Sequence, residues 1–204
     1  MLDKNLLLVD IGGTNIRYAY SNIGDSDFIS ENKAELDSLN DFDNLMSELL
    51  AESDIKNIVF SVAGPKVNNS IKMTNRNFEI DADQIKKRFN LESCYLLNDW
   101  ESIGYSIRTF SENDFDNFKE SEPFNDTFLV IGPGTGLGAS VISGNNVIAT
   151  EIGNTNLGLS ALKSLLNINS DEFNVLEDVI SGTGISKMFA IKTGNKVKSE
   201  EIFS

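Results

Sequence analysis

Short apolar runs alternate with stretches of helical periodicity along the chain. Patterns typical of buried strands occupy residues 5–9, 57–63, 92–97 and 127–131, and each ends at a polar residue or a glycine. Residues 41–50 place apolar side chains at helical spacing, with acids in the first turn. Strands that alternate with helices predict an α/β fold.

The same patterns predict the remaining elements and a division into two lobes. Strands are expected at residues 16–20, 27–30, 70–74, 139–143 and 147–150, and helices at 82–89, 100–107, 171–180 and 185–191. Asp81 is expected to cap the helix at 82–89, and Ser170 the helix at 171–180. Residues 111–126 are rich in Asp, Glu, Asn and Ser, which is typical of a connection. We therefore predict a small N-terminal α/β lobe at residues 1–110 and a C-terminal α/β lobe at 111–204, with a frayed, charged tail.

A glycine pair joins the first two predicted strands. The turn contains Gly12, Gly13 and Thr14, followed by Asn15, and Asp10 stands at its mouth. Glycines let the backbone approach a ligand closely, and successive backbone N–H groups form a concavity that binds anions. The segment therefore predicts a phosphate-binding loop, in which Asp10 could hold Mg²⁺ through water. A hairpin turn of structural use alone is the alternative.

A second glycine loop follows the strand at residues 127–131. It contains Gly134, Thr135 and Gly136 and leads into another predicted hairpin, so the order of strand, loop and hairpin repeats. One such loop is weak evidence for phosphate binding, whereas two indicate a duplicated design with a nucleotide between two lobes. A purely structural glycine-rich turn is the alternative here too.

The amino-acid composition excludes several classes of function. The 204 residues carry 17 basic and 31 acidic side chains, a formal net charge of −14, and no histidine. This charge repels nucleic acids and anionic membranes, and the absence of histidine excludes Ser-His-Asp triads and most transition-metal sites. No apolar run approaches the length of a membrane span, and we expect no signal peptide. The single cysteine, Cys94, fits a reducing cytoplasm.

Two polar residues, Asn98 and Asp99, directly follow a predicted buried strand. Ligand sites of parallel sheets gather beyond the carboxyl ends of the strands. There Asp99 could accept a proton from a hydroxyl while Asn98 orients the neighbouring oxygen, and attack of that hydroxyl on a phosphorus is phosphoryl transfer. A helix cap formed by Asp99 is the alternative. Asn75 could bind a polyol or merely close a turn, and Glu177 alone is an exposed acid of a predicted helix.

In this order, the segments resemble those of the bacterial glucokinases, within the sugar kinase/Hsp70/actin superfamily. The matching segments are Asp-Ile-Gly-Gly-Thr-Asn at 10–15, Ala-Gly-Pro at 63–65, Met-Thr-Asn at 73–75, Leu-Asn-Asp at 97–99, Gly-Thr-Gly-Leu-Gly at 134–138, and Glu177 with Val-Ile-Ser-Gly at 179–182. The likeness runs from about residue 6 to about residue 189, and the combination of segments is specific.

The resemblance implies a two-lobed, actin-like ATPase (ribonuclease H-like) fold. It implies ATP-dependent phosphorylation of a hexose, glucose to glucose 6-phosphate, in glycolysis, with ATP and Mg²⁺ as cofactors and a small sugar as the partner. Asp99 would be the base, and both glycine loops would bind phosphates. The implied sugar contacts are Asn75, Asn98, Asp99, Asn154 and Glu177. The oligomeric state is left open, and a homodimer is one alternative.

The sequence departs from the family pattern in its sugar-binding segment and its length. Asn154 stands where the family has glutamate, and Leu157 where it has histidine. Each lost hydrogen bond to a buried partner costs about 1–3 kcal/mol, so a lower glucose affinity or a different sugar is expected. Family members continue well past this likeness, so the second lobe is predicted to be incomplete. A catalytically impaired sugar- or nucleotide-binding module is the main alternative, and a chaperone- or filament-type ATPase is a weaker one.

Overall fold

The computed structural model describes residues 4–12, 15–35, 38–51, 54–73, 79–119, 122 and 125–202. The chain divides into two compact units, Met1–Ser102 and Ile103–Ser204, which we name the N-terminal unit and the C-terminal unit. Both combine strands with helices, which confirms the predicted α/β class. The lobe boundary after residue 110 stays a prediction, and each unit is described by its own limits.

The N-terminal unit is built from short strands and three helices within the described residues, the last of which crosses the division. In chain order they are β1 (Leu6–Ile11), β2 (Asn15–Ser21), β3 (Ile29–Glu35), α1 (Leu39–Ala51), β4 (Asn57–Val62), β5 (Lys66–Val67), β6 (Ser70–Lys72), β7 (Glu79–Asp81), α2 (Ala82–Arg88), β8 (Ser93–Asn98) and α3 (Asp99–Ser106). β3 covers Ile29–Glu35, so it begins two residues after the predicted strand at 27–30 and extends five residues beyond it.

Five of these strands form one mixed sheet in the order β3-β2-β1-β4-β8. β1, β4 and β8 run parallel, whereas β2 is antiparallel to β1 and to β3. β4 lies between the parallel strands β1 and β8, and its Ile58, Phe60 and Val62 are fully buried, as is typical of a strand inside a parallel sheet. The short strands β5, β6 and β7 form a separate antiparallel sheet.

Helix α1 closes the core of the N-terminal unit. Its helical spacing of apolar residues buries Phe42 and Met46, and the Phe42 ring centroid lies 6.0 Å from that of Phe60. Ser38 Oγ accepts a hydrogen bond from the Asp41 N–H at 3.2 Å, which satisfies an N–H group at the start of the helix. The helix predicted at 41–50 is therefore confirmed.

Helix α2 and strand β8 follow the sequence predictions closely. The Asp81 carboxylate accepts a hydrogen bond from the Gln84 N–H at 2.9 Å, so Asp81 caps α2 as predicted. Cys94 of β8 is buried, and burial raises the pKa of its thiol to about 12. A buried thiol that stays protonated at neutral pH is typical of a structural cysteine.

The C-terminal unit contains three strands and three α-helices within the described residues that follow α3. They are β9 (Thr127–Pro133), β10 (Leu137–Ser143), β11 (Asn146–Thr150), α4 (Leu159–Leu165), α5 (Gly182–Thr193) and α6 (Ser199–Ile202). The strands form an antiparallel sheet in the order β11-β10-β9. Strand, glycine loop and hairpin thus follow one another as in β1, β2 and β3, which confirms the predicted repetition.

The first strands of the two sheets differ in burial. Leu7 and Val9 of β1 are buried between β2 and β4, whereas in the described part of the chain β9 pairs with β10 alone. Phe128, Leu129 and Ile131 of β9 are 52%, 55% and 47% exposed. An apolar strand therefore stands at an open edge of the C-terminal sheet.

The helix predicted at residues 171–180 is wrong, because this segment forms turns. The Asp178 carboxylate accepts hydrogen bonds from the N–H groups of Asn174 and Val175, at 2.7 and 3.0 Å. The Glu177 N–H donates to the Gly153 carbonyl at 2.9 Å. Backbone groups that a helix would pair with one another are thus paired with a local side chain and with a distant loop.

Helices α4 and α6 were not predicted. Leu159 and Leu162 of α4 and Leu166, which follows its last residue, have a helical spacing that the sequence already contained. These residues pack in a small core with Phe173 and Val179. α6 forms a short helix where the charged tail was expected to fray, so that prediction is wrong.

None of the helices in the described residues is both long enough and apolar enough to cross a lipid bilayer.

Candidate active site

The carboxyl ends of the three parallel strands are level in the N-terminal sheet. The strand register aligns Ile11 of β1 with Val62 of β4, and Val62 with Asn98 of β8. Gly12 follows β1 directly, and Asp99 follows β8. The structure therefore brings the first glycine loop and the predicted base to one edge of one sheet, where α/β proteins bind their ligands.

The first glycine loop closes the β1–β2 hairpin. The Gly12 N–H donates to the Asn15 carbonyl at 3.0 Å, which anchors the loop on both sides. Gly13 and Thr14 of this loop lie outside the described residues, and so does Asn75, which was predicted to bind sugar. The hairpin of β1 and β2 is thus confirmed, and phosphate binding by its loop stays a prediction.

Asp10 lies exposed beside this loop. Its carboxylate is 3.8 Å from the Arg17 guanidinium across the hairpin, and the two side chains are 50% and 60% exposed. An exposed ion pair of this kind is weak, so it does not prevent Asp10 from binding a cation through water. In the described residues no cluster of carboxylates, Cys or His could hold a metal ion alone. A single carboxylate, that of Asp10, fits a Mg²⁺ ion whose other ligands are water molecules and phosphate oxygens.

Asn98 forms hydrogen bonds both to the loop after β4 and to the start of α3 at this edge of the sheet. It is buried, and its Nδ2 donates to the Gly64 carbonyl at 2.8 Å. Its Oδ1 accepts from the N–H groups of Trp100 and Glu101, at 2.9 and 3.3 Å. Asp99 Oδ1 also accepts from the Trp100 N–H, at 3.0 Å. Asn98, rather than Asp99 alone, therefore caps α3, and it ties the loop after β4 to the start of that helix.

Glu101 completes a reciprocal cap at the start of α3. Its carboxylate accepts from the Asn98 N–H at 3.2 Å and from Lys66 Nζ at 3.1 Å. An Asn followed three residues later by Glu is a capping-box spacing, so the sequence itself contained the signal for this cap. The cap holds the backbone of Asp99 between two residues that are themselves fixed.

The second glycine loop is held by the start of α5. The Gly134 N–H donates to the Gly136 carbonyl, and the Gly182 N–H donates to the Gly134 carbonyl, both at 2.8 Å. The Thr183 hydroxyl donates to the Thr135 carbonyl. Ser181 and Gly182 entered the sequence analysis only through the resemblance, and their contact with the second glycine loop was not predicted.

Glu177 contacts the same loop from a turn and not from the predicted helix. Its Oε2 accepts a hydrogen bond from the Leu137 N–H at 2.7 Å. A Cβ atom at Gly136 would lie 2.4 Å from that oxygen, so only glycine leaves room for it. Since the Glu177 N–H also donates to Gly153, this residue joins the glycine loop to the segment that contains Asn154.

Asn154 lies exposed in a short 3-10 turn, Ile152–Asn154. Its Nδ2 donates to the Glu151 carboxylate at 3.1 Å. Leu157, the second departure in this segment, is 76% exposed. The C-terminal unit thus brings Asn154 and Glu177 to neighbouring backbone positions, and their binding to sugar stays a prediction.

Asp178→Asn is expected to destabilise the turn beside Glu177 by about 1 kcal/mol, after allowance for solvent screening. The Asn174 N–H bond lowers the pKa of Asp178, burial opposes this, and the Val175 N–H bond and Lys187 lower it further. A lowered folded pKa gives stability that is complete above the unfolded pKa and is lost as the pH falls through the folded pKa.

Urea unfolding of wild type and Asp178→Asn should therefore differ at neutral pH and converge as the pH falls below about 4. Asp171→Asn, at an exposed acid of the same segment, is the matched control. A gap between wild type and Asp178→Asn that stays constant down to the acid transition would contradict this account.

Solved structures share this fold. A glucokinase from an Antarctic psychrotroph superposes with a TM-score of 0.70 at 25% identity, over 95% of this chain and 66% of that one. A ROK family glucokinase from Streptomyces griseus, in complex with glucose and AMPPNP, superposes with a TM-score of 0.61 at 20% identity, over 93% and 62% of the two chains. These likenesses confirm the predicted actin-like ATPase fold.

Sequence comparison identifies the same group of proteins. The glucokinase of Nostoc punctiforme is 28% identical over 212 residues, which cover 96% of this chain and 62% of that protein. The chain thus spans less than two thirds of the length of this curated relative. The family model named Glucokinase matches residues 7–202. Since that match takes in nearly all of the chain, the chain belongs to the glucokinase family.

Proposed function

We propose that this protein transfers the γ-phosphoryl group of ATP to the 6-hydroxyl of a hexose, with glucose as the first candidate. The observation that carries the proposal is the level edge of the N-terminal sheet, beyond which Gly12 and Asp99 follow their strands. Membership of the glucokinase family supports the same chemistry. We place the reaction in glycolysis, in the cytoplasm.

Asp99 is the proposed general base. Its carboxylate accepts the proton of the sugar 6-hydroxyl as that oxygen attacks the γ-phosphorus. The O6–P bond forms, the bond from phosphorus to the β,γ-bridging oxygen breaks, and ADP leaves with that electron pair. Asn98 and Glu101 support this role because their reciprocal cap fixes the backbone from which Asp99 projects.

The two glycine loops are the proposed phosphate contacts. Residues 12–15 and 134–136 offer backbone and hydroxyl donors in a protein whose net charge of −14 repels ATP as a whole. Asp10 fits Mg²⁺ through water, and that ion would neutralise charge on the phosphate oxygens. Local donors and a cation carried with the nucleotide thus overcome the unfavourable overall field.

Four side chains besides Asp99 are the proposed sugar contacts: Asn75, Asn98, Asn154 and Glu177. Glu177 uses Oε2 for the Leu137 N–H, so Oε1 is the oxygen proposed to accept from a sugar hydroxyl. Asn98 acts mainly by positioning, because its amide is buried among backbone groups. The sugar and the second glycine loop would then depend on one carboxylate.

A catalytically impaired sugar- or nucleotide-binding module is the second candidate. It is favoured by the sugar segment, where the Asn154 amide is bound to Glu151 and Leu157 is exposed. An exposed leucine offers no hydrogen bond to a sugar. This candidate predicts binding without turnover.

The test is ADP formation by the purified chain with glucose, with 6-deoxyglucose and without sugar. Turnover with glucose alone is expected, because 6-deoxyglucose fills the site but lacks the attacking oxygen. Calorimetric glucose binding without turnover would favour the impaired module. ADP formation at equal rates under all three conditions would contradict hexose phosphorylation and favour a sugar-independent ATPase.

A further inference from the structure

A cavity of about 340 Å³ opens in the C-terminal unit beside the second glycine loop. Gly134 and Thr135 of the loop form one wall, and Gly182 and Thr183 of α5 form another. Lys198, just before α6, also lines the cavity. The cavity thus joins a loop proposed to bind phosphate with a cationic side chain far along the sequence.

Two of the first N–H groups of α5 are already paired within the protein. The Gly182 N–H donates to the Gly134 carbonyl at 2.8 Å, and the Gly184 N–H donates to Ser181 Oγ at 3.0 Å. These groups hold the loop and the helix cap, so they are not directed at a ligand. An anion in this cavity would therefore gain from a cationic side chain.

Lys198 is the cationic side chain among the described residues that line the cavity. Its carbonyl accepts from the Glu201 N–H at 3.0 Å, which forms the first turn of α6. Ser199 fixes the approach to α5, since a Cβ atom at Gly182 would lie 2.9 Å from Ser199 Oγ. The segment that carries Lys198 is therefore packed on the residues that hold the glycine loop.

The surroundings of Lys198 are negatively charged, so its ammonium group is the local source of attraction for an anionic ligand. Glu200 also lines the cavity, and the whole chain carries a net charge of −14. An anion that enters this field gains from a local ammonium group, which acts as a compact point charge on a flexible stem. Lys198 is exposed, so its ammonium group can reach a ligand without leaving a buried partner.

We propose that Lys198 binds the phosphate tail of the nucleotide at the second glycine loop. The inference rests on the proposed function and adds a contact that the glycine motifs do not include. Thr135 and the loop backbone position the phosphate, and Lys198 supplies the charge. A charge-assisted contact at an exposed site is worth about a tenfold change in affinity.

The experiment is calorimetric titration of the full chain with ATP in the presence of Mg²⁺, and with inorganic tripolyphosphate. Lys198→Met is compared with Lys196→Met, which removes the same charge from an exposed lysine two residues away that does not line the cavity. The Kd for both probes is expected to rise about tenfold in Lys198→Met and less than twofold in Lys196→Met. Tripolyphosphate has no nucleoside, so a loss with this probe assigns the contact to the phosphates.

Equal Kd values for the two variants, with wild type binding ATP, would overturn the inference and leave the proposed function intact. Failure of wild type to bind ATP at all would overturn both. Recovery of affinity in Lys198→Arg would support a charge contact, because arginine restores the cation with a different shape. Circular dichroism of each variant checks that the exposed substitutions leave the fold unchanged.

Discussion

Asp99→Asn is expected to lower the rate of glucose-dependent ADP formation by about 10²–10⁴-fold. An amide cannot accept the proton that the sugar hydroxyl must lose. The substitution should not disturb α3, because Asn can accept the Trp100 N–H bond that Asp99 Oδ1 makes at 3.0 Å. The effect should therefore appear in kcat, with glucose binding measured by calorimetry close to that of wild type.

Asp81→Asn is the matched control for this prediction. Asp81 also stands at the start of a helix in the N-terminal unit, where its carboxylate accepts the Gln84 N–H. Asn caps helices about as well as Asp, so Asp81→Asn should retain both stability and rate. If the two variants lose activity equally, or if neither does, Asp99 is not the base.

Gly136→Ala is expected to weaken the binding of both ATP and glucose by about tenfold or more. The new Cβ atom would lie 2.4 Å from Glu177 Oε2 and 3.1 Å from its Cδ. The obstructing atoms are the end of a flexible side chain, so the protein can fold by displacing the carboxylate. That displacement breaks the bond to the Leu137 N–H, and the expected stability loss is only about 1 kcal/mol.

A double-mutant cycle separates this mechanism from a general distortion of the loop. In the Glu177→Ala background, Gly136→Ala should cost little, because the side chain that it displaces is gone. Kd values for ATP and glucose in wild type, both single variants and the double variant give the coupling. Additive effects of the two substitutions would contradict the proposed link between the glycine loop and Glu177.

The features that the sequence predicted correctly depend on local patterns. The apolar run of β4 and the capping carboxylate of Asp81 each act within a few residues, so their outcome could be read from the chain. The placement of Asp99 followed because parallel strands share a carboxyl edge. These predictions needed no knowledge of which distant residues come together.

The features that were mispredicted depend on contacts between distant residues. Glu177 bonds to Leu137, 40 positions earlier, and its N–H bonds to Gly153, so the segment around it is held in turns despite its helical pattern. The surroundings of the second glycine loop also depend on distant residues. Its glycines were evident, but its support by Gly182 and the cavity next to Lys198 required the folded chain.

The open apolar edge at β9 has a consequence for the protein in solution. Phe128, Leu129 and Ile131 are about half exposed, on a strand that pairs on one side within the described residues. Such an edge offers unpaired backbone donors and acceptors together with exposed apolar side chains, an arrangement that favours pairing with strands of other molecules. Mutual electrostatic repulsion at a net charge of −14 opposes that association, and salt screens it. The colloidal stability of this chain should therefore fall as ionic strength rises.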